Sequence, residues 1–311
     1  MRLWTLTFAL LAALVVVSLS LGAASFGDDA GWLLMVSRIP RTAAALLAGA
    51  GLALAGVVVQ QVVQNRLVEP SLTGAPEASM LGLLAVTLIA PGLAVAGKML
   101  IAAASALLGM IGYLALAARL PREDPMLLPI VGIVYGGIIG AICVYIAWAT
   151  DLMQFLGAWQ LGEFSGVMIG RYEWLWAIAA LAVLLYVIAD RITILGLGEA
   201  QARSLGLDYA QTRALGLVVV SVITALVLVT VGGFPFVGLV APNLIARWRG
   251  DNLRANLPLI AVGGAILLLS ADIIGRAIRY PFEIPAATVV AVFGAGVFLW
   301  LLHAAPARRH G

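Results

Sequence analysis

Residues 196–213 read GLGEAQARSLGLDYAQTR, the longest polar, helix-compatible stretch lying between two clearly apolar runs. It divides at Gly206. Residues 199–205 (Glu199 to Leu205, with Ala202, Arg203 and Ser204 inside) are good helix formers. Gly206 stands where a left-handed C-terminal cap is needed, a conformation glycine adopts without steric cost. Asp208, following Leu207, then caps a second helical piece, and Gln211 three residues on is placed to reach back, a variant of the capping box. Two short helices hung between apolar spans make a shape another protein can grip. A plain connecting loop is the alternative reading of the same residues.

Outward from this stretch the chain is apolar. Of its 311 residues 63% are hydrophobic and 11% charged, with a mean hydropathy of +1.09. A water-soluble domain has no use for that much apolar surface. At about 20 residues per crossing, the supply suffices for up to about ten helices. The expected fold class is therefore all-α, a polytopic membrane protein forming one transmembrane domain over residues 1–311. The net charge of +3 does not point to nucleic acid, because the basic residues sit at the ends of apolar runs, where topology places them. The single cysteine, Cys143, excludes an intrachain disulfide. His303 and His310 have no acidic or cysteine neighbours, which argues against a metal site.

Ten spans are expected, at about 2–21, 42–63, 78–90, 99–118, 127–149, 174–189, 214–231, 232–247, 257–274 and 284–303. The first resembles a signal peptide ending near GAAS, but its apolar run is long for that and fits a retained span. Asp28 and Asp29 fall in an outer loop, ARLPREDP makes a charged turn, and residues 151–173 have room for a short interfacial helix. The eighth span, with GGFPFVGLVAPN at its start, reads as a short, broken crossing. With the N-terminus inside, twelve of the 18 basic residues lie inside: Arg2, Arg66, Arg119, Arg122, Arg191, Arg203, Arg213, Arg247, Arg249, Arg254, Arg308 and Arg309. That bias has the sign the positive-inside rule requires and puts residues 196–213 in the cytoplasm. Arg38, Arg41, Lys98, Arg171, Arg276 and Arg279 remain outside, more than that rule alone leaves.

Sites for chemistry are scarce. GLAVAGK (residues 92–98) matches the first part of a phosphate-binding loop, but Met99 stands where the magnesium-holding hydroxyl belongs and the flanks are membrane spans. ATP and magnesium, if used, therefore belong to another subunit, and this chain is expected to need no cofactor. An intramembrane enzyme needs a catalytic pair that is not evident, and proton-coupled transport wants more buried ionisable groups. Asp272 is the only acidic residue well inside an apolar run; it is either a functional carboxylate or the partner of Arg276 one turn on. Gly132, Gly136 and Gly140 share one helix face, suited either to close helix packing or to a solute pathway.

RIPRTAAALLAGAGLALAGVVVQ, NRLVEPSLTG, LGEAQARSLGLD, GGFPFVGLVAPN and ADIIGRAIRYPFEIP, in that order, resemble the FecCD-type permeases, the membrane subunits of ABC importers for ferric siderophores, haem and cobalamin. The likeness runs over residues 37–302 and is nearest the ferric-siderophore members. It implies the ten-helix type II importer fold and a multi-pass place in the bacterial inner (cytoplasmic) membrane. The implied partners are a second permease subunit (identical or not), cytoplasmic ABC ATPase subunits that bind ATP and magnesium, and an extracytoplasmic substrate-binding protein. It also implies that Glu199, Ala202, Arg203, Ser204, Leu205, Gly206, Leu207 and Gln211 form the surface coupling to the ATPase. Arg38, Arg41 and Arg276 would dock the binding protein, since a guanidinium fork pairs carboxylates bidentately. The pathway lining would come from Gly132, Gly136, Gly140, Phe234, Pro242 and Asn243.

Overall fold

The computed structural model describes residues 2–21, 30–120, 127–279 and 282–303. Arg122, Arg308, Arg309, His310, the Asp28–Asp29 pair, most of the ARLPREDP turn and the Tyr280–Pro281 step fall outside them. Helix is the only regular structure among the described residues. In chain order the helices are α1 (Arg2–Ser20), α2 (Ala30–Leu33), α3 (Ile39–Val63), α4 (Ala75–Ile89), α5 (Val95–Ala117), α6 (Leu127–Ala149) and α7 (Met153–Gln160). They continue with α8 (Ala177–Val187), α9 (Ala189–Leu195), α10 (Glu199–Ser204), α11 (Tyr209–Val231), α12 (Val237–Arg249), α13 (Leu253–Ile278) and α14 (Ala286–His303).

Five helices are long and apolar enough to cross a membrane alone: Gly31–Val63, α5, α6, α11 and α13. Three shorter apolar helices, a bent pair and the 13-residue α12 account for the other expected segments, so the arrangement is compatible with ten crossings. The second span starts earlier than its hydropathy suggests. A π-helical turn at Leu34–Arg38 joins α2 to α3, so Pro40 sits in the first turn of α3, where its missing N–H costs nothing. The sixth span is not straight: a 3₁₀ turn at Glu173–Trp176 leads into α8, and the chain then bends by 67° into α9. The interfacial helix expected after α6 is α7.

α3 is the core, packed between α11, α12 and α13. Glycines set how near its neighbours come. A Cβ on Gly49 would lie 2.3 Å from the Gly264 carbonyl oxygen, and one on Gly56 would lie 2.0 Å from that of Gly238. The α3–α13 and α3–α12 crossings are therefore backbone-on-backbone contacts, in which small residues let dispersion act over the full helix length.

Ion pairs join the two ends of the bundle separately. At one end Arg66 pairs with Asp251 (2.8 Å) and Arg254 with Asp190, while Arg249 lies over the Trp4 ring and Arg247 over Trp300. All four arginines belong to the set expected inside, and both described chain ends lie there too. At the other end Arg41, Asp272, Arg276 and Glu283 cluster. The grouping matches the charge-based division of the loops.

Candidate functional site

At the inner end, α9 and α10 form an elbow ahead of α11. Ala202 is the buried contact of α10, while Glu199, Arg203 and Ser204 are exposed, and Glu199 pairs with Arg203 at 2.7 Å. Gly206 has φ +81°, its N–H donates to the Arg203 carbonyl (3.0 Å), and the Leu207 N–H donates to that of Ala202 (3.0 Å). These bonds satisfy the last carbonyls of α10. The Asp208 carboxylate accepts from the Gln211 N–H at 3.0 Å. The second helical piece is thus the first turn of α11 itself, because nothing interrupts the helix after Tyr209. Leu205, 61% exposed, stands at the turn that ends α10, with Leu197, 51% exposed, before that helix. A groove of about 720 Å³ runs beside it, lined by Gln64, Leu120, Glu199, Tyr209 and Arg213.

At the outer end the structure gives the three arginines expected to dock a binding protein inward partners. Arg38 and Arg276 are each 7% exposed. Arg38 donates to the carbonyls of Leu19 (2.9 Å) and Ser20 (3.1 Å). Arg276 donates to those of Ser18 (3.1 Å) and Leu21 (2.9 Å), to the Ser18 hydroxyl, and to Asp272 at 2.8 Å. Arg41 holds Asp272 at 2.7 Å and Glu283 at 2.9 Å. Two of the arginines therefore cap the C-terminal end of α1, a place that favours positive charge. The physical reason is desolvation: a buried guanidinium must find acceptors within its own chain. Asp272, 2% exposed, is the counter-ion expected for Arg276, and for Arg41 as well.

Between the two ends, the break before α12 is held by residues the sequence left unassigned. Phe236 has φ +67°, and its N–H donates to Glu69 Oε1 at 2.7 Å. The amides of Gly238 and Leu239 approach the same carboxylate. Glu69, 2% exposed in the link after α3, so serves as an N-terminal cap supplied from 167 residues away. Burial pushes its carboxyl up, and the hydrogen bonds of Ser71 and the α12 amides oppose that shift. Pro242 deprives the Gly238 carbonyl of its helical donor, and the Gln60 amide of α3 donates to it instead at 3.3 Å.

A cavity of about 340 Å³ next to this break brings together Gly136, Gly140 and Phe234, three of the six expected pathway residues. The other three lie elsewhere. Gly132 is a packing position, where a Cβ would fall 1.8 Å from the Leu72 carbonyl oxygen. Pro242 and Asn243 border a separate inner-end groove with Asp251, and Asn243 donates to the Arg66 and Leu239 carbonyls.

The family described as the FecCD transport family matches residues 3–304. The chain is 35% identical over 308 residues to the petrobactin import system permease protein FatD of Bacillus anthracis, covering 97% of this chain and 92% of that one. It is 36% identical over 276 residues to the ferric-anguibactin transport system permease protein FatD of Vibrio anguillarum, covering 88% of each. A vitamin B12 import system permease, BtuC of Serratia proteamaculans, is 34% identical over 281 residues, 89% of this chain and 83% of that one. A solved structure of a metal-chelate type ABC transporter in an inward-facing conformation superposes with a TM-score of 0.76 at 27% identity, covering 96% of this chain and 97% of that one.

Proposed function

Because the chain belongs to the FecCD transport family, we propose that it is the membrane-spanning permease subunit of an ABC importer that carries a ferric siderophore across the cytoplasmic membrane. The observation that carries this reading is likeness to ferric-siderophore permeases along almost the whole chain. ATP hydrolysis takes place in a partner ATPase, and the elbow from Glu199 to Gln211 transmits its closure. An exposed leucine on a rigid, capped turn suits that work, since a cleft can bury Leu205 while the Gly206 cap keeps the turn's shape. An extracytoplasmic binding protein delivers the chelate to the outer end. Arg41 and Glu283, the more exposed members of the arginine cluster, are the positions open to it, with Arg38 and Arg276 holding the rim behind them. A second permease subunit completes the pathway. Alternating access needs two states close in free energy, so that nucleotide binding can shift the balance.

The test is reconstitution in proteoliposomes with the candidate ATPase and binding protein, measuring ATP hydrolysis and uptake of iron chelate. Leu205→Asp places a charge where an apolar cleft would close, and is expected to lower chelate-stimulated ATP hydrolysis at least about tenfold. Full coupling in that variant would remove the elbow from the mechanism. Uptake by the chain without an ATPase would refute the importer itself.

A further inference from the structure

The cavity beside the α12 break has a chemical character that the importer reading leaves unused. Among its lining residues Glu77 is the only ionisable one, and no lysine, arginine or histidine faces it. Glu77 lies in the first turn of α4, beneath the glycine face of α6. Its Oε2 is shielded from solvent and has no hydrogen-bond partner. A Cβ on Gly136 would come within 3.2 Å of that oxygen, and one on Gly140 within 3.7 Å of the Glu77 Cγ. The missing side chains of α6 thus let the Glu77 side chain lie against that helix at the edge of the cavity. Thr224 of α11, 4% exposed, lines the same cavity, and its Oγ1 is also buried without a partner. Trp159 and Phe234 supply aromatic surface.

A half-buried carboxylate with one oxygen shielded and no counter-ion is costly, and the N-terminal dipole of α4 offsets only part of that cost. Glutamine or leucine would fill the position without such a penalty. What a carboxylate adds is attraction for a cation that carries hydrogen-bond donors. A protonated amine suits this lining: its charge answers the Glu77 carboxylate, its N–H groups can be accepted by that carboxylate and by the Thr224 hydroxyl once the two side chains turn into the cavity, and its positive field suits an indole. An anionic arm would be repelled. About 340 Å³ admits one arm of a chelate, not a whole one.

Resting on the importer reading above, we propose that this cavity receives a protonated amine borne by the transported iron chelate, with Glu77 as its counter-ion. Glu77 is then a selectivity residue of the pathway.

The experiment uses the complete importer in proteoliposomes and two synthetic bis-catecholate ferric chelates, one with a free secondary amine in its linker and one with that nitrogen acetylated. Both are first confirmed to load onto the binding protein. The readout is the amine-to-acetyl uptake ratio in each variant divided by the wild-type ratio, which cancels any preference of the binding protein. Glu77→Gln is expected to lower the ratio about tenfold. Thr224→Val is expected to lower it about threefold, while Glu77→Asp, which keeps the charge, stays within about twofold of wild type. A wild-type ratio in Glu77→Gln overturns the proposal, as does an equal loss in Glu77→Asp and Glu77→Gln. If Glu77→Gln does not assemble, a wild-type ratio in Thr224→Val overturns it. Should wild-type vesicles take up neither loaded chelate with ATP present, the importer reading itself falls, an outcome distinct from a lost preference.

Discussion

Replacing Arg276 by alanine separates a structural arginine from a docking one. The side chain makes an ion pair with Asp272 at 2.8 Å and donates to two α1 carbonyls and the Ser18 hydroxyl, all at 7% exposure. Removing one partner of a buried ion pair costs about 3–5 kcal/mol. Here Asp272 keeps Arg41 at 2.7 Å, so no carboxylate is left wholly unpaired and the lower end applies, about 3 kcal/mol. At about 2–4 °C per kcal/mol for a chain of this order of size, the midpoint of thermal unfolding should fall by about 6–12 °C. Tryptophan fluorescence of the detergent-purified chain reports that midpoint. Arg171→Ala, at an exposed outer position, is the control and should move it by no more than about 2 °C. An unchanged midpoint in Arg276→Ala, together with lost stimulation by the binding protein, would refute the structural weight of the inward pairing and favour the docking role for Arg276.

Three further changes probe the frame. Gly56→Ala drives a methyl to 2.0 Å from the Gly238 carbonyl oxygen and should cost at least about 2 kcal/mol, whereas Gly166→Ala, with nothing within 4 Å, should be near neutral by the same thermal assay. Glu69→Ala leaves the start of α12 without its carboxylate and should lower stability by about 2 kcal/mol, with Glu69→Gln recovering part of it; equal stability of wild type and Glu69→Ala would remove the cap. Gly206→Ala meets no neighbour but must hold φ +81°, so it should lose about 1 kcal/mol by strain alone, and no loss would mean that the elbow relaxes freely.

What the sequence made legible was local. The Gly206 cap, the Asp208–Gln211 bond and the Asp272–Arg276 pair join residues at most five apart, so spacing and propensity suffice to find them. Span positions followed from hydropathy and the relative sidedness of their ends from charge, since a bilayer acts on every residue alike. Long-range partners carry no such signal. Arg41 meets Asp272 across 231 positions, Glu69 meets Phe236 across 167, and Arg276 reaches the end of α1 across more than 250. Outer arginines without visible acceptors therefore looked available to a partner protein. Glu77 went unmarked because it stands at the start of an apolar run, where a carboxylate normally finds water. The glycine row of α6 carried two meanings at once, backbone contact at Gly132 and a seat for the Glu77 side chain at Gly136 and Gly140, and only the neighbouring element distinguishes them.

A proline inside a membrane helix is commonly taken for a swivel. Swivelling requires backbone groups free to trade partners, and around Pro242 they are already occupied: Gln60 holds the carbonyl the proline abandons, and Glu69 holds the amides at the helix start. With Gly56 and Gly238 in contact as well, α3 and α12 travel as one stiff slab. In a transport cycle of the kind proposed, compliance would then fall to the 67° corner between α8 and α9, two short helices from the exposed leucine of the elbow.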